Sequence, residues 1–246
     1  MMSNLAFTYT GTRWRDAVPW PAQNLSQVSY GKPKCVSGDR TCRARRAVAS
    51  CCVSSGELPD LKVQQRVMKW VRDIVIGLGL CPFAERELRE GKMLVRVLES
   101  VTSFDKLSEI IEREMGKFVA PDMQHVSTYL LVVPPGSFLD AQPFEVFAEF
   151  AAEFEERIER DPVMSELVMP VFFHPNHQWY GLDPTDPVNF DRRAPYPICN
   201  FLRTPQVDRL AALGLTQTIL EDNQTILGNT GFEQLRALHQ SIYLSE

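Results

Sequence analysis

A chain of 246 residues, 44% hydrophobic and 10% aromatic, can bury a sizeable core, enough for one large domain or two small ones. No run approaches the roughly 20 consecutive apolar residues of a membrane-spanning helix. The formal net charge of −5 divides unevenly: residues 1–60 hold eight Lys/Arg and four Asp/Glu, whereas residues 61–246 hold 18 and 27. An acidic main body argues against a nucleic-acid backbone or an anionic membrane as the principal partner.

Residues 1–60 differ in kind from the rest. They are rich in Ser, Thr, Arg and Ala, have Asp16 and Asp39 as their only acids before Glu57, and show no sustained hydrophobic period. The apolar centre of a secretory signal is missing. Basic, hydroxyl-rich and acid-poor composition fits an unstructured organellar transit peptide, cleaved near Arg45-Arg46-Ala47-Val48-Ala49-Ser50-Cys51, with plastid ahead of mitochondrion as destination. Without that processing the chain would be cytoplasmic. Cys35, Cys42, Cys51 and Cys52 fall in this segment, where irregular spacing and the lack of a nearby His make a poor zinc set. Only Cys81 and Cys199 lie beyond it, which points to a reducing compartment without a disulfide framework.

From Leu61 the pattern becomes regular. Val63, Val67, Trp70, Val71, Ile74, Val75 and Leu78 recur at three- and four-residue steps, the stripe of an amphipathic helix, and Gly77 and Gly79 end it. Pro82 suits a first helical position, so Phe83–Glu90 is a short helix stopped by Gly91. Met93–Leu98 reads as a strand. Thr102 with Asp105 predicts a capping box for a helix burying Phe104, Leu107, Ile110, Ile111, Met115 and Phe118. The apolar run Thr128–Val133 is of strand length, and Pro134-Pro135-Gly136 breaks it.

The next helix buries Phe144, Phe147, Phe150, Phe154 and Ile158; Glu145, Glu149, Glu153, Glu156 and Glu159 form its solvated face. Leu167–Phe173 makes a third apolar strand and Ile198–Leu202 a fourth. Thr204-Pro205 opens a helix through Leu210, stopped by Gly214. Two more helices follow, the last opening at Thr230 with Glu233 and burying Leu235, Leu238 and Ile242. Apolar strands alternating with helices imply one soluble α/β domain over residues 61–246: a mostly buried sheet of three to four strands covered by helices, with extra N- and C-terminal helices.

Between the third and fourth strands, the stretch 174–197 is too rich in Pro, Asp and Asn for regular structure, and holds two His, two Tyr, a Trp and two Arg. Long irregular connections in compact domains tend to be functional. His174 follows a buried strand, where α/β sheets bind ligands at strand carboxyl ends. His177 follows in an H-x-x-H spacing that lacks helical geometry. Arg192, Arg193 and Arg203 could fork onto a carboxylate or phosphate, or pair with Asp183, Asp186 or Asp191 to shape the loop. Tyr180 and Tyr196 could line a pocket. Cys81, in Leu80-Cys81-Pro82-Phe83-Ala84, sits before a helix start, where a thiol's pKa can fall. Its apolar neighbours equally suit a buried structural cysteine. Phosphate loops, nucleophile elbows and metalloprotease helices are absent.

Several of these motifs together resemble the uncharacterised domain-of-unknown-function family 1415, over roughly Val63 to Leu213. The resemblance rests on Trp70-Val71, Gly77-Leu78-Gly79-Leu80-Cys81-Pro82-Phe83-Ala84 and Phe173-His174-Pro175 with Gln178. It continues through Asp186-Pro187, Asn189, Arg193, Pro195-Tyr196-Pro197 and Leu202-Arg203. It implies no activity. The family often has a His where this chain has Asn200 and a Tyr where it has His177, which weakens a shared Cys–His–His metal site. A Cys81–His174–Asn200 trio would remain, with Asn200 orienting His174.

Two expectations from different classes follow. One is an organellar enzyme acting on a small anionic or carbonyl-bearing metabolite, with Cys81 as nucleophile or redox thiol and His174 as its base. Arg193, Arg203, Tyr196, Tyr180 and Gln178 would then bind the substrate. The alternative is a non-catalytic protein, binding metal or haem or acting through partner contacts. Cofactor and oligomeric state are open.

Overall fold

The computed structural model describes residues 59–99, 101–216 and 218–244; the transit-like segment and its four cysteines, residues 1–58, lie outside the described residues. Helix α1 (Pro59–Trp70) continues into a π-helical stretch, Val71–Ile76. Then come α2 (Ala84–Arg89), β1 (Met93–Val97), α3 (Phe104–Val119), β2 (Thr128–Val132) and α4 (Phe144–Arg160). The chain ends with α5 (Met164–Leu167), β3 (Val168–Phe173), β4 (Ile198–Arg203), α6 (Thr204–Ala212), α7 (Ile219–Thr230) and α8 (Phe232–Leu244). The strands form one sheet in the order β1-β2-β4-β3. β1 and β2 are parallel, and β4 runs antiparallel to both β2 and β3. The carboxyl ends of β1, β2 and β3 therefore lie along the same rim of the sheet.

Both faces are covered, which is why the central strands are apolar throughout instead of alternating. On one face Tyr129, Leu131, Val168, Phe172, Cys199 and Phe201 pack against Phe118 of α3 and Phe147 and Phe154 of α4. On the other, Leu130, Val132 and Ile198 meet Val67 and Trp70 of α1, Val71 and Ile74 of the π stretch, and Leu235 and Ile242 of α8. Each fully buried Phe or Leu stabilises the fold by about 1.5–3 kcal/mol, so the two cores together outweigh any polar contact. The one fully buried acid of this set, Glu114, accepts from Tyr129 (3.0 Å) and Lys117 (2.8 Å), as a buried charge requires.

Three element ends differ from expectation. The first helix does not stop at Gly77 as an α-helix. Its last turn widens, with the Gly77 amide donating to Arg72 O and the Leu80 amide to Val75 O, each five residues back. A Cβ at Gly77 would lie 2.3 Å from the carbonyl oxygen of Asp73, so the wide turn needs a glycine there. Helix α3 is capped by Ser103, not Thr102: its hydroxyl accepts from the Lys106 amide, the amide three residues on that a capping hydroxyl reaches. Thr230 ends α7 instead of opening α8, with its hydroxyl donating to Ile226 O.

The two margins of the sheet are treated differently. Along the outer side of β3, Pro170 has no N–H to offer, and two residues on, the Phe172 amide donates to the Glu155 carboxylate of α4. The Phe172 carbonyl accepts from Arg192 Nη1 at 3.4 Å, and the His174 amide donates to Arg192 O at 3.1 Å. Proline and charged caps are the usual means of closing a strand edge. β1 forms the opposite margin.

Candidate ligand-binding cleft

The stretch 174–197 is ordered by its own side chains. Asn189, fully buried, accepts the Trp179 amide at 2.9 Å and donates to Asp183 O at 2.8 Å, tying two arms of the loop together. Asp183 accepts from the Thr185 amide and hydroxyl, and Asp186 caps a short 3-10 turn at Pro187–Asp191 through the Val188 amide. Arg193 spans the loop, donating from Nε to His177 O and from Nη2 to Pro184 O, both at 2.9 Å. Trp70 of α1 donates its indole N–H to Arg193 O at 3.1 Å, which fixes the loop to the body of the protein.

Between this loop and the start of α4 opens a cleft of about 390 Å³. Phe144 and Glu145 form the helix wall; Pro175, Asn176, Gln178, Pro184 and Arg193 form the loop wall. Pro143 precedes α4 and supplies no side-chain cap, so the first-turn amides of a 17-residue helix end beside the cleft uncapped by a side chain. Behind the lining lie two histidines. His174 packs against Phe144 and Phe147 (ring centroids 5.2 and 4.8 Å), and its Nδ1 accepts from the Asn176 amide at 3.1 Å. His177 packs edge-on to Phe144 and Trp179. Burial pushes His174 down to about 4. Burial pushes His177 down to about 3, with Arg192, Arg193 and His174 adding to it. Both rings are neutral at pH 7, and His177 Nε2 has no hydrogen-bond partner among the described residues.

The other expected site residues are distributed elsewhere. Cys81 follows Leu80 of the second core, and its sulfur accepts the amides of Phe83 and Ala84. Burial nonetheless pushes the thiol up, and Asp191 and Glu87 act in the same direction. No hydrogen bond or electrostatic interaction joins it to His174. Strand geometry separates the rest of the trio. His174 continues the parity of Phe172, towards α4, whereas Asn200 shares the parity of Ile198, towards the other core. Asn200 is buried opposite Leu130 and Val171, its Oδ1 without a partner among the described residues. The trio of Cys81, His174 and Asn200 is therefore not brought together.

Arg203 does not border the cleft either. It is buried, stacks on Phe118 at 4.0 Å, and donates to Val126 O, Phe118 O and Met123 O. It closes the carboxyl end of α3, where a cation suits the exposed carbonyls and the helix dipole. Tyr196 accepts from Arg66 of α1 at 3.0 Å, while Tyr243 of α8 donates to Pro195 O at 2.6 Å. These contacts make a clasp, not a pocket wall. Tyr180 is 76% exposed and does not line the cleft. Of the expected set, Arg193 and Gln178 border the cleft and His174 stands behind it.

Sequence reading missed the helix wall. Glu145 resembles the other acids of α4, and only the Pro143 before Phe144, an uncapped helix opening, sets it apart. The binding role of Asn189 inside the loop was equally hidden, because its partners are backbone groups. Among the described residues no group of three or more His, Cys, Asp or Glu is arranged to hold a metal ion. None of the described helices is long and apolar enough to cross a membrane.

No curated protein and no solved structure matches the chain. A family model described as protein of unknown function (DUF1415) matches residues 62–237, from α1 into α8 and across both walls of the cleft. The chain belongs to that family.

Proposed function

We propose that the protein binds a small metabolite carrying an anionic group in the cleft between α4 and the β3–β4 loop. The observation that carries this reading is Arg193. Its guanidinium borders the cleft, is bonded to two neutral carbonyls, and has no carboxylate partner among the described residues. A partly buried guanidinium fork without a counter-ion is suited to a carboxylate or phosphate. The open amides at the start of α4 support the same polarity. The position, at the rim where the parallel strands end, is the usual one for ligands in α/β sheets.

Recognition is better supported than the thiol chemistry expected from Cys81, which does not border the cleft. His174 would contribute from behind the lining, by holding the Asn176 amide of the loop wall. With Nδ1 accepting from the Asn176 amide, the neutral ring carries its proton on Nε2.

The test is a titration of the full chain with inorganic phosphate and with acetate, followed by amide NMR shifts at residues 144–147 and 176–178. Replacing Arg193 by Met is expected to weaken binding at least tenfold, the loss of a charge-assisted pair of about 1.5–3 kcal/mol. Gln178→Met, which leaves the guanidinium in place, should weaken it less. Unchanged affinity in a folded Arg193→Met chain would sink the reading.

A further inference from the structure

We propose that the ligand is a zwitterion of the amino-acid class, an inference that rests on the anion-binding reading and narrows it. The cleft presents two opposite charges that do not satisfy each other. Glu145 stands on the helix wall and Arg193 on the loop wall, and no ion pair joins them. The carboxylate belongs to an exposed residue of α4; the guanidinium is half-buried over the Phe190 ring at 4.7 Å, held there by carbonyls.

A ligand with only a negative charge meets repulsion from Glu145, and one with only a positive charge meets repulsion from Arg193. A molecule bearing both an ammonium and a carboxylate pairs with each wall. The neutral lining agrees. Gln178 commits its amide nitrogen to Leu182 O at 2.6 Å and so keeps its carbonyl oxygen as an acceptor for an ammonium hydrogen. Phe144, Pro175 and Pro184 supply apolar surface for a short carbon skeleton between the charged ends. A volume of about 390 Å³ falls near the lower end of small-molecule sites, about 300–1,000 Å³.

The experiment compares probes on one five-carbon skeleton: pentanoate, pentylamine, norvaline and 5-aminopentanoate, each titrated by NMR into the full chain. At least one zwitterion is expected to bind about two- to five-fold tighter than pentanoate, the range for a solvent-accessible ion pair. Pentylamine should be the weakest. Glu145→Gln should erase the zwitterion's advantage and at the same time strengthen pentanoate, opposite changes from one substitution. Glu149→Gln, also at an exposed position of α4 but outside the cleft lining, should change none of the four. Pentanoate binding as tightly as both zwitterions, or a zwitterion advantage that survives Glu145→Gln, overturns the proposal while the anion reading stands. If no probe shifts the cleft amides, both fall.

Discussion

At the scale of single residues, environment decides what a side chain can do. Cys81 illustrates this. A position before a helix start favours a thiolate, and the amides of Phe83 and Ala84 do stabilise one, but burial and the nearby carboxylates of Asp191 and Glu87 push the other way and prevail. The thiol is expected to alkylate slowly, with an apparent pKa above the free-cysteine value of about 8.5. Because no interaction links the two groups, His174→Ala should leave that value unchanged; a shift of the alkylation profile in the variant would show a coupling the geometry lacks. Arg203 shows the same logic in another form. A guanidinium can clamp an anion or hold a chain end, and three carbonyls within hydrogen-bond reach assign it to the end of α3. Residue type and motif spacing cannot separate these roles, since both use the same donors.

At the scale of elements, the long apolar runs and the amphipathic stripes were legible, and the strands fall within a residue of where hydrophobicity places them. Register was not. His174 and Asn200 look like neighbours at the two ends of a loop, but pairing Val171 with Asn200 and Phe173 with Ile198 turns them to opposite faces. A shift of one residue would have reversed that outcome, and nothing local to either strand encodes it. The π turn was hidden for a different reason. Its apolar residues continue the stripe of α1, and only the close approach of Gly77 to Asp73 O distinguishes the wide turn. The loop depends most on Asn189. Replacing it by Ala leaves the Trp179 amide and the Asp183 carbonyl without their partner, at about 1–3 kcal/mol each. A drop of that order in urea-unfolding free energy, with faster proteolysis between residues 176 and 192, is the expected result. A nearly unchanged midpoint would mean that water replaces the side chain.

At the scale of the whole molecule, α7 and α8, which lie beyond the expected family resemblance, brace the body of the protein. α7 hangs from Asn223, which donates to Leu80 O and Asp191, and α8 closes the clasp over Pro195. The buried histidines give the folded chain a pH signature. Unfolded imidazoles take up protons near 6.5, but His174 and His177 in the folded state do so only at about 4 and 3. Below about pH 6.5 the unfolded state therefore binds more protons and stability falls with pH. Glu155, raised by burial, has the opposite sign, because a folded carboxyl that prefers its proton gains relative stability as pH falls. Its effect begins above the ordinary carboxylate range, where the folded carboxyl takes up its proton, so the interval from pH 6.5 to 5 reports the histidines alone only in a Glu155→Gln chain. In that chain the urea midpoint should be flat from pH 7 to 8 and decline through that interval, and adding His177→Gln should flatten the decline. A midpoint constant from pH 7 to 5 in the Glu155→Gln chain would contradict it.

The closed margin along β3 has a consequence for polymerisation. A sheet that is open on both sides can add copies without limit, each new strand exposing the next template. Here one side is ended by Pro170 and by the Glu155–Phe172–Arg192 contacts, so among the described strands only β1 can accept a further one. Any like-with-like encounter through β1 would stop at two copies, because the outer side of each is already occupied. The same contacts that seat the loop beside the cleft thus deny the chain a growing end.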